Sequence, residues 1–355
     1  MSLSLPVLAD RPPRVPPPAP QAATRRARMI DSHGRTIREL RLSVTDRCNF
    51  RCVYCMDPGV RFMPDAALLS VEEMVRAAGV CVGLGVEKVR ITGGEPTVHP
   101  RLTEIIGGVA GLGVDDVAMT TNGALVNEPA LRRWRDAGLR RITVSIDAVD
   151  PGAFAAITRS RTAPGAVLAA VEAALAVGLT RTKLNAVIVR GRNEGEVPAL
   201  AGLARRYGVE MRFIEFMPLD SGHHWDWSCL VPASEIVERV EAAYPLTPLG
   251  RDGPSGTALE YAFADGAPGR IGIIAPVTRP FCGQCSRLRI TADGKVRPCL
   301  FSRQEWDLRA VLRGGADDEG VARFLADVTW TKQAGHGIST PGFQQPDRPM
   351  SAIGG

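Results

Sequence analysis

Three things are missing from this chain of 355 residues. It has no apolar run of about 18 residues, the length a membrane-spanning helix needs, so no transmembrane segment is expected. Its first thirty residues have no apolar core. Pro6, Pro12, Pro13, Pro16, Pro17, Pro18 and Pro20 interrupt them instead, which argues against a secretory signal and for a disordered, polyproline-like tail over residues 1–28. Charge of one sign is nowhere concentrated: Lys and Arg number 43 against 38 Asp and Glu. Nucleic-acid binding usually rests on a basic stripe or block, and none is expected here. The mild excess suits a phosphorylated small molecule held by a few arginines and lysines, and equally a slightly basic surface.

What is present is ordinary in bulk. Apolar residues make up 45% and charged residues 23%, enough for a sizeable core in one large domain or a large one with a small one. A cytoplasmic protein is expected. Thiols there stay reduced, so the eight cysteines point to metal or catalysis before disulfides.

From Glu39 onward, short β-branched runs alternate with longer amphipathic segments. The strands expected are Glu39–Thr45, Glu87–Thr92, Asp116–Thr121, Arg141–Ile146, Lys183–Val189 and Glu210–Met217. Helices are expected over Val71–Leu84, Arg101–Leu112, Glu128–Ala137, Pro164–Val177 and Glu194–Tyr207. Ser70 and Glu73 form a capping box, and Gly138, Gly178 and Gly208 sit where helices stop. Six such units read as an α/β fold, a partial (βα)6 TIM-type barrel over residues 29–244; a full barrel needs about 250 residues. An open doubly wound sheet is the alternative. In a barrel the C-terminal strand ends build the site, and here those ends carry Thr45, Thr92, Thr121, Asp147, Asn185 and Glu215. Past Met217 the alternation stops. A loop with His223, His224, Trp225 and Trp227 leads to a helix near Ala233–Tyr244. A smaller region over 245–345 is expected to close the open side of the barrel, followed by a polar tail over 346–355.

Chemistry concentrates in two cysteine groups. Cys48-x3-Cys52-x2-Cys55 follows the first strand, on the loop where barrel chemistry belongs. Three thiolates on a cubic 4Fe–4S cluster leave one iron open, whereas electron-transfer clusters usually have four cysteines. Structural burial and a zinc site are the competing readings. Cys282-x2-Cys285 is followed by Cys299, again three. Cys81 lies within an apolar helix and reads as core; Cys229 is a candidate fourth ligand.

The first motif, together with Gly93-Gly94-Glu95-Pro96 at the end of the second strand, resembles the signature of the radical S-adenosylmethionine superfamily. Phe281 through Arg289, Asp293-Gly294-Lys295 and Cys299-Leu300-Phe301 resemble the GTP 3′,8-cyclase family of molybdenum-cofactor biosynthesis. So do Leu40 through Asp46, Lys88 through Pro96, Thr120 through Gly123, Val144 through Ala148, Lys183 through Asn185, Arg212 through Met217, and the terminal Ile353-Gly354-Gly355. The resemblance covers about Ile30 to Gly355.

It implies a radical enzyme with two 4Fe–4S clusters, on Cys48, Cys52 and Cys55 and on Cys282, Cys285 and Cys299. S-adenosyl-L-methionine is expected at the open iron of the first, against Tyr54, Gly94, Ser145 and Met217. GTP is expected at the second, with Arg41, Arg90, Thr120, Lys183, Arg287 and Arg289 around it; Lys88 and Arg212 are weaker candidates. Arg287, Arg289 and the inserted Gly354 and Gly355 are the expected catalytic residues. The implied reaction removes hydrogen from C3′ of GTP and joins C3′ to C8. The implied partners are a low-potential donor such as flavodoxin, the downstream cyclic pyranopterin monophosphate synthase, and a second copy in a homodimer. Two other readings stay open: a radical enzyme that modifies a peptide, and a non-catalytic zinc or iron protein that binds a nucleotide.

Overall fold

A computed structural model describes residues 28–253 and 255–354. The proline-rich head over 1–27 and Gly355 lie outside the described residues.

Strand periodicity builds the fold. In β1 (Glu39–Ser43), Leu40 and Leu42 are buried while Glu39 and Arg41 are half-buried. The same alternation runs through β5 (Lys183–Ile188) and β6 (Glu210–Glu215). Successive side chains point to opposite faces. One face, with Leu40, Leu42, Leu184, Ile188, Met211 and Phe213, joins the apolar core beneath the helices. The other lines the lumen. β2 (Lys88–Thr92), β3 (Asp116–Thr121) and β4 (Arg141–Ser145) complete the six expected strands, each within two residues of its expected bounds.

The helices begin and end where local chemistry dictates. Before α1 (Val71–Gly83), Ser70 Oγ accepts from the Glu73 amide at 3.2 Å and the Glu73 carboxylate accepts from the Ser70 amide at 2.8 Å. α2 (Leu102–Ala110) and α3 (Glu128–Asp136) follow. α4 (Pro151–Thr158) was not expected, although Asp150 caps it through the Ala153 amide and Pro151 occupies its first turn, a recognised start signal. α5 (Pro164–Ala176), α6 (Val197–Tyr207) and α7 (Ala233–Glu241) complete the set up to residue 241.

The six strands lie in the order β1-β2-β3-β4-β5-β6, all parallel. That order never reverses, which removes the doubly wound alternative, whose strand order must switch. The region after β6, expected to close the open side of the barrel, joins the same sheet at both edges. Beyond β7 (Leu246–Arg251) and β8 (Leu259–Phe263), β9 (Arg270–Ile274) pairs parallel with β6, and β10 (Arg287–Ile290) pairs parallel with β1. The antiparallel β8 and β7 extend the sheet past β9, and β11 (Lys295–Arg297) and β12 (Trp306–Asp307) extend it past β10. Two bare edges would have left rows of unpaired N–H and C=O groups; the C-terminal region caps both. The order stays linear, so the barrel is open.

Two further helices, α8 (Leu308–Arg313) and α9 (Asp318–Trp330), lead to the C-terminal segment. That segment is packed, not loose. Its last turn, α10 (Met350–Ile353), puts Ile353 into a second apolar cluster with Leu219, Leu230, Val277, Phe301 and Ile338. Among the described residues, no helix is long and apolar enough to cross a membrane.

Candidate active site

The first cysteine group sits above the C-terminal end of β1, on a loop held by its neighbours. The Arg51 amide donates to the Thr158 carbonyl at 3.0 Å and the Val53 amide to the Ile157 carbonyl at 2.9 Å, so the end of α4 braces the loop. From the other side, the Gly94 amide donates to the Thr45 carbonyl and the Glu95 amide to the Arg47 carbonyl, both at 2.8 Å. A Cβ on Gly94 would meet the carbonyls of Arg47 and Asp46, the latter at 2.7 Å. The glycine is therefore required by the cysteine loop's own backbone, where the sequence argument had only a ligand in view. The buried Glu95 carboxylate accepts from the Thr121 hydroxyl and the Asn122 amide, each at 2.6 Å, and from the Thr97 amide and hydroxyl. Burial raises its pKa.

The second group lies at the opposite end. Cys282 and Cys285 precede β10, which runs parallel to β1, and Cys299 follows the antiparallel β11. All three therefore sit below the N-terminal strand ends. Cys48, Cys52, Cys55, Cys282, Cys285 and Cys299 nevertheless line one cavity of ≈ 300 Å³ that runs through the barrel. None is in a disulfide. Among the described residues no three Cys, His, Asp or Glu side chains gather tightly enough for a single metal ion. Three thiols facing one space at each end have the chemistry and number of a site-differentiated iron–sulfur cluster.

Between the two groups the lumen is cationic. Arg289, Arg41 and Arg90 stand abreast, in register across β10, β1 and β2. Like charges directly opposite one another destabilise a sheet. Glu39, in register with Arg287 and Lys88, offsets part of this; its carboxylate lies 3.4 Å from Arg41 Nε and 3.6 Å from Arg90 Nε. Burial alone would raise the Glu39 pKa, but Arg41, Arg90, Arg287 and Arg141 hold it at about 2. One carboxylate does not satisfy the group. The Nε atoms of Arg41, Arg90 and Arg289 are buried without a hydrogen-bond partner among the described residues, as is Asn185 Oδ1. Burial and the neighbouring Arg41 and Arg287 pull Arg289 down to about 9; burial pulls Arg90 to about 10 against the opposing pull of Glu39. A buried row of donors with this deficit of negative charge is arranged for a polyanion.

Most of the expected site residues meet in this cavity. Tyr54, Gly94, Ser145 and Met217 line its upper half, and Arg41, Arg90, Thr120, Arg212, Arg287 and Arg289 its middle and lower parts. Arg90 donates to the hydroxyls of Thr120 and Thr143 at 3.3 Å. Arg287 donates to Cys285 Sγ at 3.3 Å and stacks over Phe281, 5.1 Å from the ring centre. Lys183 shares the lumen face of β5 with Asn185 but lies below the cavity wall, paired with Glu210, which also holds Arg212. Lys88 is exposed at the lower mouth. Gly354, at φ +85°, lies against the ends of β1 and β2; a Cβ there would come within 2.8 Å of Ser43 Cβ and Thr92 Oγ1. Ser351, just before it, lines the cavity.

Cys81 is fully buried core, as read. Cys229 is half-buried and does not line the cavity. In the tryptophan loop, Trp225 donates to the Phe216 carbonyl and packs into the second apolar cluster, while Trp227 stays exposed against it.

Two carboxylates in the wall carried a sequence signal only as strand-end polar residues. Asp147 accepts from the Tyr54 hydroxyl at 2.6 Å and the Val187 amide at 2.8 Å, and burial raises its pKa to about 6. Glu215 accepts from the amides of Ala233, Val277 and Thr278, all at 2.9 Å, and so ties α7 and the loop after β9 to the end of β6.

Comparison with known proteins places this geometry. Residues 42–204 match the Radical SAM superfamily, and residues 209–338 match Molybdenum Cofactor Synthesis C. The chain is similar to the GTP 3′,8-cyclase of Streptomyces coelicolor, 44% identical over 330 residues that cover 92% of this chain and 96% of that one. It is 42% identical to that of Rhodopirellula baltica, covering 92% of each. Among solved structures, Streptococcus suis SuiB covers 87% of this chain and 69% of its own, with a TM-score of 0.56 at 13% identity. Native anSMEcpe with bound AdoMet covers 79% and 81%, with a TM-score of 0.51 at 13% identity. These last two likenesses are of fold.

Proposed function

The chain belongs to the GTP 3′,8-cyclase family, and from that membership we propose that this cavity holds S-adenosylmethionine under the first cysteine group and GTP above the second. The enzyme is a radical S-adenosylmethionine lyase of molybdenum-cofactor biosynthesis that converts GTP to (8S)-3′,8-cyclo-7,8-dihydroguanosine 5′-triphosphate. The observation that carries the placement is the row Arg289, Arg41 and Arg90, whose Nε atoms lack a hydrogen bond among the described residues, buried between six cavity-facing thiols.

When bound, the iron–sulfur and S-adenosylmethionine pair supplies the electron and the 5′-deoxyadenosyl radical that opens the reaction. The protein's part is placement and exclusion. Cys48, Cys52 and Cys55 hold one 4Fe–4S cluster, and Cys282, Cys285 and Cys299 a second. Tyr54, Gly94, Ser145 and Met217 surround the cofactor, with the Met217 thioether as a soft apolar contact. Arg41, Arg90 and Arg289 neutralise the triphosphate and the Thr120 hydroxyl can hydrogen-bond it, while Lys183 stays paired with Glu210 at the lower rim. That fixes the ribose in the middle of the barrel, with C3′ toward the upper group and the base toward the lower. Arg287 holds its charge beside Cys285, where the guanine arrives. Gly354 closes on Ser43 and Thr92, and a residue without a side chain there leaves room for substrate. Holding C3′ and C8 at bonding approach in a dry site accounts for much of the catalysis.

The family resemblance further supports a low-potential donor such as flavodoxin, a homodimer, and hand-over of the product to cyclic pyranopterin monophosphate synthase. Eight cysteines without a disulfide among those described support a reducing, cytoplasmic setting.

Anaerobic turnover of reconstituted enzyme with dithionite, S-adenosylmethionine and either GTP or ATP tests the reading. GTP is expected to yield a cyclised triphosphate of unchanged mass, and ATP none. Release of 5′-deoxyadenosine with GTP left intact would instead favour the peptide-modifying alternative.

A further inference from the structure

Two buried cations lie outside the cavity. Lys332, just after α9, is 2% exposed. Its Nζ donates to the Arg287 carbonyl at 2.8 Å and to the Pro298 carbonyl. Arg35, in the turn before β1, is 8% exposed and anchored by Asp31 at 2.6 Å. Its guanidinium donates to the Cys282 carbonyl at 2.7 Å, the Ala334 carbonyl at 2.9 Å and the Gln333 carbonyl at 2.7 Å.

These contacts share a geometry. Cys282 itself, the residue two past Cys285 and the residue just before Cys299 are each held by one of the two cations. Both cations converge on the short segment 332–336. That segment also runs beside the thiol: a Cβ on Gly335 would touch Cys282, 3.7 Å from its Cβ and 3.9 Å from its Sγ. An ammonium is expensive to bury unless negative charge faces it. The main charges facing Lys332 are the thiols of Cys285 and Cys299, when ionised, and the cations Arg287 and Arg289. Carbonyl dipoles alone do not balance a buried ammonium; anionic sulfur on a metal cluster would.

We propose that Lys332 and Arg35 are positioning residues for the second cluster. They bind the three backbone segments carrying Cys282, Cys285 and Cys299 into one cradle, and the Lys332 charge favours the reduced cluster. Motif spacing cannot reveal such a pair, because its contacts run from side chain to backbone, across about 250 to 300 residues of sequence for Arg35 and 45 and 34 for Lys332. The proposal rests on the two-cluster reading above.

The test compares Lys332→Met, Arg35→Met and Lys332→Arg with the parent chain after anaerobic reconstitution. The readouts are iron content and the electron paramagnetic resonance of each reduced cluster. The parent is expected to hold roughly eight iron atoms. Each methionine variant should lose about half of them while keeping the first cluster's spectral response to S-adenosylmethionine, which reports an intact fold. Lys332→Arg should restore the iron. Any second cluster left in Lys332→Met should reduce at a more negative potential. Full iron with an unchanged potential in Lys332→Met and Arg35→Met would overturn the proposal. Loss of both clusters together would also overturn it, since the residues would then serve folding in general. A parent chain with about four iron atoms would remove the two-cluster reading, and this inference with it.

Discussion

The two cysteine groups face one cavity but are built in opposite ways. The upper group is local: eight residues hold all three thiols, and neighbouring backbone and Glu95 brace the loop. Its thiols sit in a poorly solvated pocket beside Phe50, Tyr54 and Asp147. Burial raises Cys48 to about 11, Cys55 to about 12, and Cys52 well above the ordinary thiol range. The lower group is dispersed over Cys282 to Cys299 and lies among cations. Burial alone would raise Cys285, but Arg287 and Lys332 pull it down to about 6. The protein thus supplies little positive charge above and a great deal below. The upper site is suited to a cluster whose ligand, S-adenosylmethionine, brings its own sulfonium and ammonium. The lower one is suited to a substrate that brings a triphosphate.

The largest effect expected of any variant breaks the upper half. Cys52→Ser should abolish both 5′-deoxyadenosine and cyclised product, a loss of at least about 10³-fold, because the radical source goes with the ligand. Breaking the lower half should look different. Arg289→Met removes one of three adjacent cations and should lower kcat/KM for GTP by about 10²-fold. Iron content and the upper cluster's response to S-adenosylmethionine should be unchanged; a matching loss of iron would show that Arg289 supports the cluster more than the substrate. Gly354→Ala sharpens the boundary between the halves. A methyl at φ +85°, 2.8 Å from Ser43 and Thr92, should displace the terminal segment and cost about tenfold in kcat, from a strain of order 1–3 kcal/mol. The smallest effect should come from the latch behind that segment. Arg348 grips Asp293 with two bonds, at 2.8 and 2.7 Å, and reaches Glu305 at 3.0 Å. Arg348→Met should lower stability by about 1–2 kcal/mol, and a double-mutant cycle with Asp293→Asn should recover most of that as coupling.

The same contrast governs what was legible in the sequence. Strands β1 to β6 could be read because each is a short β-branched run between longer amphipathic segments, and the helices because Ser70, Gly138, Gly178 and Gly208 punctuate them. The upper group was legible because it is a contiguous motif. The lower thiols were legible too, but not their surroundings. Nothing in Arg270–Ile274 or Arg287–Ile290 says that these strands pair with β6 and β1, since pairing at a sheet edge is decided by which edge is free and not by local pattern. Arg41, Arg90 and Arg289 read as three separate candidates; only the register showed them abreast. Lys183 and Lys88 shared the same pattern, and the structure sets them at the lower rim. Arg35 and Lys332 left no signal, because each acts on backbone carbonyls, which carry no side-chain identity to read.

The central claim is that the lower cysteine group serves the substrate while the upper one makes the radical. Anaerobic turnover of the parent chain and Cys299→Ser, with 5′-deoxyadenosine and cyclised GTP quantified together, tests it most directly. The account predicts both products from the parent, and 5′-deoxyadenosine without cyclised GTP from the variant. Cyclised GTP from Cys299→Ser at the parent's rate would contradict it.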